Sequence, residues 1–224
     1  GLGDVYKRQA YYSGDSAEVG FLLKTVRDRI PHARWHAVGV SLGGNALLKY
    51  LGEHHEDTTW LTACAGVSVP LDLVACGKTL STGFFNRKVY TGHFLKTLKH
   101  KVLEKAHRYP GAIDVMRIAH ARDLRDFDDA YTAPMHGFRN ALDYWTRASS
   151  KPWLPQISVP TLVLNALNDP FIPASALPKP DECSSSILLH QPTDGGHAGF
   201  PTGAFPAHLG WLPQRLGRFF ETGL

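Results

Sequence analysis

The chain reads as an α/β protein, a mostly parallel sheet flanked by helices with a helical cap inserted into it, on three observations. Short apolar runs alternate with segments of helical period, as βαβ units with right-handed crossovers require. One long stretch, from about 71 to 155, breaks that alternation, being helical in pattern and holding no convincing strand. The 224 residues are 43% hydrophobic and 20% charged, which suits one soluble globular domain with a sizeable core. Residues 1–224 are therefore read as one domain, with 71–155 as its cap insertion.

Ser16–Ile30 predicts an amphipathic helix, because Val19, Phe21, Leu22, Leu23, Val26 and Ile30 fall mostly three or four apart and Pro31 stops it. Trp35–Val40 is a short apolar run typical of a buried parallel strand, and a helix over Gly43–Gly52 follows. Trp60–Val69, ended by Pro70, predicts a second buried strand. Thr161–Leu167 and Ser186–His190 predict two more, and Pro206–Phe220 a closing helix. No internal repeat or low-complexity tract is present.

Composition excludes several classes. No run of about 18 apolar residues exists, so no membrane span is expected. The opening residues 1–9 lack the apolar core of a signal peptide, and Cys64, Cys76 and Cys183 are too few and too far apart for a disulfide framework. Both features suit a reducing cytoplasm. The net charge is +4, and much of the excess lies in Asn86–Arg108, where Arg87, Lys88, Lys96, Lys99, Lys101, Lys105 and Arg108 interleave with Phe84, Phe85, Phe94, Leu95, Leu98, Val102 and Leu103. Two readings apply: a lid that touches anionic lipid or a fatty substrate, or a cap helix whose lysines are solvated. The second is the more common use of such a pattern. No nucleic-acid motif accompanies the charge, and nothing bears on oligomeric state.

The chemistry is carried by Gly39-Val40-Ser41-Leu42-Gly43, a Gly-x-Ser-x-Gly pattern with a buried strand leading in and a helix leading out. In a nucleophile elbow of this kind the serine sits on a sharp, strained turn, and small residues two before and two after relieve crowding. The hydroxyl of Ser41 then stands at a helix N-terminus, where the Leu42 backbone N–H can serve a developing oxyanion. Gly44 lets the helix pack closely on the sheet. The alternative is a glycine-rich strand-to-helix turn with an idle serine.

Serine needs a base held in the right tautomer by a carboxylate. Asp169 follows the strand Thr161–Leu167, the position where open α/β sheets collect their active sites. It could otherwise be a simple turn residue before Pro170, while Asp181 and Glu182 fall in a Pro-rich loop and are weaker candidates. His197, in Asp194-Gly195-Gly196-His197-Ala198-Gly199-Phe200, is flanked by glycines in the loop after the last strand and is the candidate base. His54 and His55 are adjacent on a helix and point apart, so they make a poor chelate. No metal and no organic cofactor are expected.

Further motifs carry a family resemblance. Gly39-Val40-Ser41-Leu42-Gly43-Gly44-Asn45 resembles the elbow of the YheT-like α/β-hydrolases, which include animal lipid esterases and plant and yeast relatives. Arg125-Asp126-Phe127-Asp128-Asp129, Thr132-Ala133-Pro134-Met135-His136-Gly137-Phe138 and Ala141-Leu142-Asp143-Tyr144-Trp145 resemble that family's cap signature. Ala166-Leu167-Asn168-Asp169-Pro170-Phe171 and Gly195-Gly196-His197-Ala198-Gly199-Phe200 resemble its acid and histidine loops, and the likeness runs from about Tyr11 to the C-terminus.

The resemblance implies an α/β-hydrolase fold and a carboxylic-ester hydrolase acting on small acyl or lipid-derived esters, with Ser41, Asp169 and His197 as its triad. Asp126, Asp128 and Asp129 are left with a structural role, capping helices and pairing with Arg122 and Arg125. One departure is notable: only about 40 residues precede Ser41, so the strands and the His-Gly loop that the family places upstream have no counterpart. Residues 1–10 do not resemble the family and read as a foreign leader on an N-terminally truncated copy. Two other functions stay open on these grounds, acyl transfer by the same three residues and a binding protein whose catalysis is impaired.

Overall fold

The structure, a computed structural model, describes residues 12–81, 92–108 and 113–224. Residues 1–11 and 82–91, which hold the foreign-looking leader and the start of the basic stretch, lie outside the described residues. The elements run α1 (Ser16–Arg29), β1 (Trp35–Val40), α2 (Leu42–Glu53), β2 (Leu61–Val67), α3 (Leu73–Ser81), α4 (Gly92–Arg108), α5 (Val115–His120), α6 (Leu124–Phe127), α7 (Ala141–Ala148), β3 (Thr161–Leu164), β4 (Ile187–His190) and α8 (Trp211–Thr222). The described residues form two compact units, one built on 13–72 and 148–224 and the other on 73–81, 92–108 and 113–147.

The sheet unit has four parallel strands in the order β1-β2-β3-β4. Because side chains alternate across a strand, the sheet buries one set of residues on each face. Cys64, Val163, Ile187 and Leu189 pack with Leu47, Leu48 and Leu51 of α2. Ala63, Ala65, Val67, Leu162 and Leu164 pack on the other face with Phe200, Phe219 and the flank of α8. Along β2 and β3 both faces are covered, which explains why those strands read as continuous apolar runs.

Local chemistry sets the helix ends. Asp15 caps α1 by accepting the Glu18 N–H at 3.1 Å, and Asp114 and Asp123 cap α5 and α6 in the same way. In α1, Val19 and Leu23 reach the core, but Phe21, Leu22, Val26 and Ile30 are exposed, as are Val38 and Val40 of β1 at the edge of the sheet. The closing helix begins at Trp211 rather than at the expected Pro206. A helix begun at Pro206 would place Pro213 in its interior, where the ring clashes with the carbonyl four residues back. Begun at Trp211, it holds Pro213 in its first turn, where a missing N–H costs nothing. The preceding loop is closed by paired backbone hydrogen bonds between Thr202 and His208.

The second unit is helical and is centred on Leu95, Val102, Ile118, Phe127 and Tyr131. Along α4 the lysines divide. Lys96 and Lys101 are exposed, Lys99 donates to the Ala119 and Ala121 carbonyls at the end of α5, and Lys105 is buried. Among the described residues no helix is long and apolar enough to cross a membrane.

The carboxylates of the Arg125–Asp129 motif serve this unit's architecture. Asp126 accepts from the Arg122 backbone and guanidinium, and Asp129 accepts the Ala141 N–H at 2.6 Å where α7 starts. Asp128 accepts from the Thr132 hydroxyl at 2.6 Å and the Trp145 indole N–H at 2.7 Å across a π-helical turn, Asp128–Thr132. The residue keeps some exposure but its carboxyl group is enclosed, and burial pushes its pKa up from 3.8 to about 6, against the pull of those two donors.

A group whose folded-state pKa is raised favours the protonated fold, so stability is greatest at low pH and declines as pH rises from 3.8 through about 6. Asp128→Asn abolishes this component. Thermal unfolding compared at about pH 5 and about pH 8 checks it, since the wild-type midpoint should drop more between the two than the variant's. Equal drops would remove Asp128 as the source.

Candidate active site

The site is built where strands end. After Val40, the chain turns at Ser41 with φ 52° and ψ −125°, a conformation that L-residues rarely adopt, and enters α2 at Leu42. The turn is tied on both sides: the Ser41 N–H donates to the Val67 carbonyl of β2 at 2.8 Å, and the Ser41 carbonyl accepts the Asn45 N–H at 3.1 Å. Leu42 opens the helix, so its N–H lies at the positive end of the helix dipole, beside Ser41.

The glycines around this turn do unequal work. A Cβ on Gly39 would lie 2.5 Å from the Gly44 Cα and 2.6 Å from the Gly43 carbonyl oxygen. One on Gly44 would lie 2.5 Å from the Val69 Cγ2 and 2.9 Å from the Gly39 oxygen. At Gly43 it would meet nothing within 4 Å among the described residues. The steric demand expected at positions two before and two after the serine therefore falls on Gly39 and Gly44, where α2 meets β1.

The three sequence-selected side chains come together. The Ser41 Oγ and His197 Nε2 are 3.0 Å apart, and the His197 Nδ1 and Asp169 Oδ2 are 2.8 Å apart. The Asp169 side chain has no solvent exposure, whereas that of His197 is 22% exposed, so the carboxylate is sealed in while the ring edge stays reachable. The other Asp169 oxygen accepts the Phe171 N–H at 2.8 Å, and the Phe171 ring stands edge-on to the imidazole at 4.8 Å between centroids. Among the described residues no group of three His, Cys, Asp or Glu side chains is placed to hold a metal ion.

Two residues that sequence reasoning left without a role stand beside these. The Asn168 Oδ1 accepts the N–H groups of Gly195 and Gly196 at 3.0 and 2.9 Å, and its Nδ2 donates to Asp194 at 3.0 Å. Ser68, fully buried just past β2, accepts the Ala198 N–H on its Oγ at 3.0 Å. Their available signal is position, each following a strand at its carboxyl end. Ser41, Ser68, Ala198 and Phe200 are also the non-glycine residues with positive φ. Backbone strain among the described residues is thus concentrated at this site. Gly195 is required by space, because a Cβ there would lie 2.5 Å from the Phe200 ring, and Gly196 by its φ of 60°.

Gly39→Ala should destabilise the protein by about 1–3 kcal/mol, since backbone atoms and not flexible side chains occupy the space. Gly43→Ala should leave stability unchanged or raise it by roughly 0.5 kcal/mol through helix propensity. Urea unfolding of both variants checks the contrast, and equal losses would contradict the assignment of close contact to Gly39.

Comparison with known proteins places this arrangement. A family model described as the alpha/beta hydrolase fold matches residues 9–204. YheT of Escherichia coli (strain K12) is 34% identical over 216 residues, covering 96% of this chain and 63% of that protein. Phospholipase ABHD3 of Homo sapiens is 28% identical over 214 residues, covering 95% of this chain and 52% of that one. The chain thus spans less than two thirds of the length of either relative. An alpha/beta fold family hydrolase from Bacillus anthracis str. Sterne has a TM-score of 0.54 at 13% identity, over 96% of this chain and 77% of that one, a likeness of fold alone. On the match over residues 9–204, in the fold just described, the chain belongs to the α/β-hydrolase family.

Proposed function

We propose that this chain carries the chemistry of a serine hydrolase that cleaves carboxylic esters, acyl or lipid-derived, through an acyl-enzyme. The observation that carries this reading is the unbroken hydrogen-bonded sequence from Ser41 through His197 to the sealed carboxylate of Asp169. In it, the Ser41 hydroxyl passes its proton to the His197 Nε2 as the oxygen attacks the ester carbonyl. The Nδ1–H remains on the ring and donates to the Asp169 carboxylate, which holds the ring in that tautomer and stabilises the imidazolium. The Leu42 N–H, at the helix N-terminus, stabilises the oxyanion. The imidazolium then protonates the departing alcohol, and water, activated by the same base, releases the acid. The lipid-derived class is supported by likeness to a protein named a phospholipase.

Labelling with a fluorophosphonate, followed by intact mass, tests the nucleophile. The expected result is one adduct per chain, absent in Ser41→Ala, with kcat on a short-chain ester lowered by roughly four to six orders of magnitude in that variant and its unfolding midpoint retained. Ester turnover that survives in purified Ser41→Ala would refute the proposal. Acyl-chain panels then rank substrates, and product analysis with a competing alcohol separates hydrolysis from acyl transfer.

A further inference from the structure

We infer that Asn168 and Ser68 are positioning residues for His197, holding its loop from both sides; the inference rests on the reading of His197 as the base. The loop has an unusual backbone. Gly196, Ala198 and Phe200 have φ of 60°, 65° and 46°, so positive values alternate through the segment that presents the imidazole. An unrestrained chain would seldom adopt it, because two of the three are L-residues with a Cβ. Something outside the loop must hold it.

The holding groups are few. Ahead of His197, the Asn168 Oδ1 takes the Gly195 and Gly196 N–H groups. Immediately after it, Ser68 takes the Ala198 N–H. The loop closes on itself through the Phe200 N–H and the Gly195 carbonyl at 2.8 Å. The peptide groups on both sides of His197 are therefore fixed by side chains from the ends of two different strands, β3 and β2. Asn168 is bonded directly to Asp169 in sequence, so the turn that supplies the carboxylate also grips the turn that supplies the imidazole. Ring and carboxylate are thereby held in one register, on which the 2.8 Å contact between them depends.

The chemistry at Asn168 is specific to an amide. Its oxygen must accept twice and its nitrogen must donate to the Asp194 carboxylate, whose other oxygen accepts from Thr193. Asn168→Asp keeps the acceptor but sets two carboxylates against each other. Adding Asp194→Asn to it reverses the polarity of that one bond and restores every partner, including an acceptor for the Thr193 hydroxyl. Ser68 offers a second handle. Ser68→Gly removes the hydroxyl and, with φ at 50°, relieves strain at the same time.

The test combines ester kinetics with amide exchange of the 194–200 segment by mass spectrometry. Asn168→Ala and Ser68→Gly should each lower kcat by about ten- to a hundred-fold with KM little changed, because a small displacement of the base costs transition-state stabilisation without removing substrate contacts. Exchange in 194–200 should rise in both, and the unfolding midpoint of Ser68→Gly should not fall. Asn168→Asp should behave like Asn168→Ala, and Asn168→Asp with Asp194→Asn should recover most of kcat. Unaltered kcat in Asn168→Ala, or a double variant no better than Asn168→Asp alone, would overturn the inference while leaving Ser41-dependent turnover intact. A wild-type protein without Ser41-dependent turnover would instead defeat the catalytic reading, and the positioning role with it.

Discussion

The close approach of α2 to β1 at Gly39 and Gly44 constrains everything else in the sheet unit. With no Cβ at either position, the helix starts almost on top of the strand it follows, and the chain between them has room for only one abrupt turn. Ser41 takes that turn and its positive φ, at a cost of roughly 1–3 kcal/mol. The backbone bonds from Ser41 to Val67 and from Asn45 to Ser41 bear that strain and lift the hydroxyl clear of the sheet. A longer, relaxed turn would satisfy the same strands and helix, but it would not hold one oxygen 3.0 Å from a histidine 156 residues later in the chain.

One turn into the same helix, Asn45 performs a different service. It is fully buried, and its amide donates to the carbonyls of Ser13 and Ala148 at 2.7 Å each and accepts the Ser150 N–H at 2.9 Å. Ser13 and Ala148 are residues at which the chain crosses into the sheet unit. Leu71, just before the chain leaves it, accepts the Lys151 N–H. Helix α2 therefore holds the chain at the two places where it enters the sheet unit. An apolar side chain of similar size would take this partner from the buried Ala148 carbonyl and Ser150 N–H, each at roughly 1–3 kcal/mol.

Legibility in the sequence followed the kind of physics involved. Periodicity and apolar runs located every strand of the sheet to within three residues at each end, since burial on both faces writes itself into composition. The three side chains that meet were found from residue type and chain order, because their chemistry restricts which residues can serve. Two matters were less accessible. The start of α8 was misplaced because Pro206 resembles a helix opening, and only Pro213 decides against it. Asn168, Ser68 and Asn45 carried no readable role, because each acts by hydrogen-bonding backbone atoms 27 or more positions away, and a sequence pattern does not encode which backbone atoms the fold will bring near.

That last difference bears on how such a site tolerates change. On the proposed reading its reactive groups sit on turns and loops, where conformations are cheap to alter, yet their separations must hold to a fraction of an ångström. The structure meets this by placing the rigid elements one step back. Strands β1, β2 and β3 end in Ser41, Ser68 and the Asn165–Asp169 turn, and Asn165 donates to the Val69 carbonyl beneath them at 3.0 Å. The strain is gathered at the strand ends and in the His197 loop, and hydrogen bonds from the sheet side constrain it. The enclosed carboxylate of the helical unit is partnered within that unit, by Thr132 and Trp145. The two enclosed acids thus differ in the groups they face. Asp169 faces a partly exposed imidazole, and Asp128 faces an indole and a hydroxyl that hold it in place. On the proposed reading, burial alone does not make a carboxylate catalytic; its partner decides.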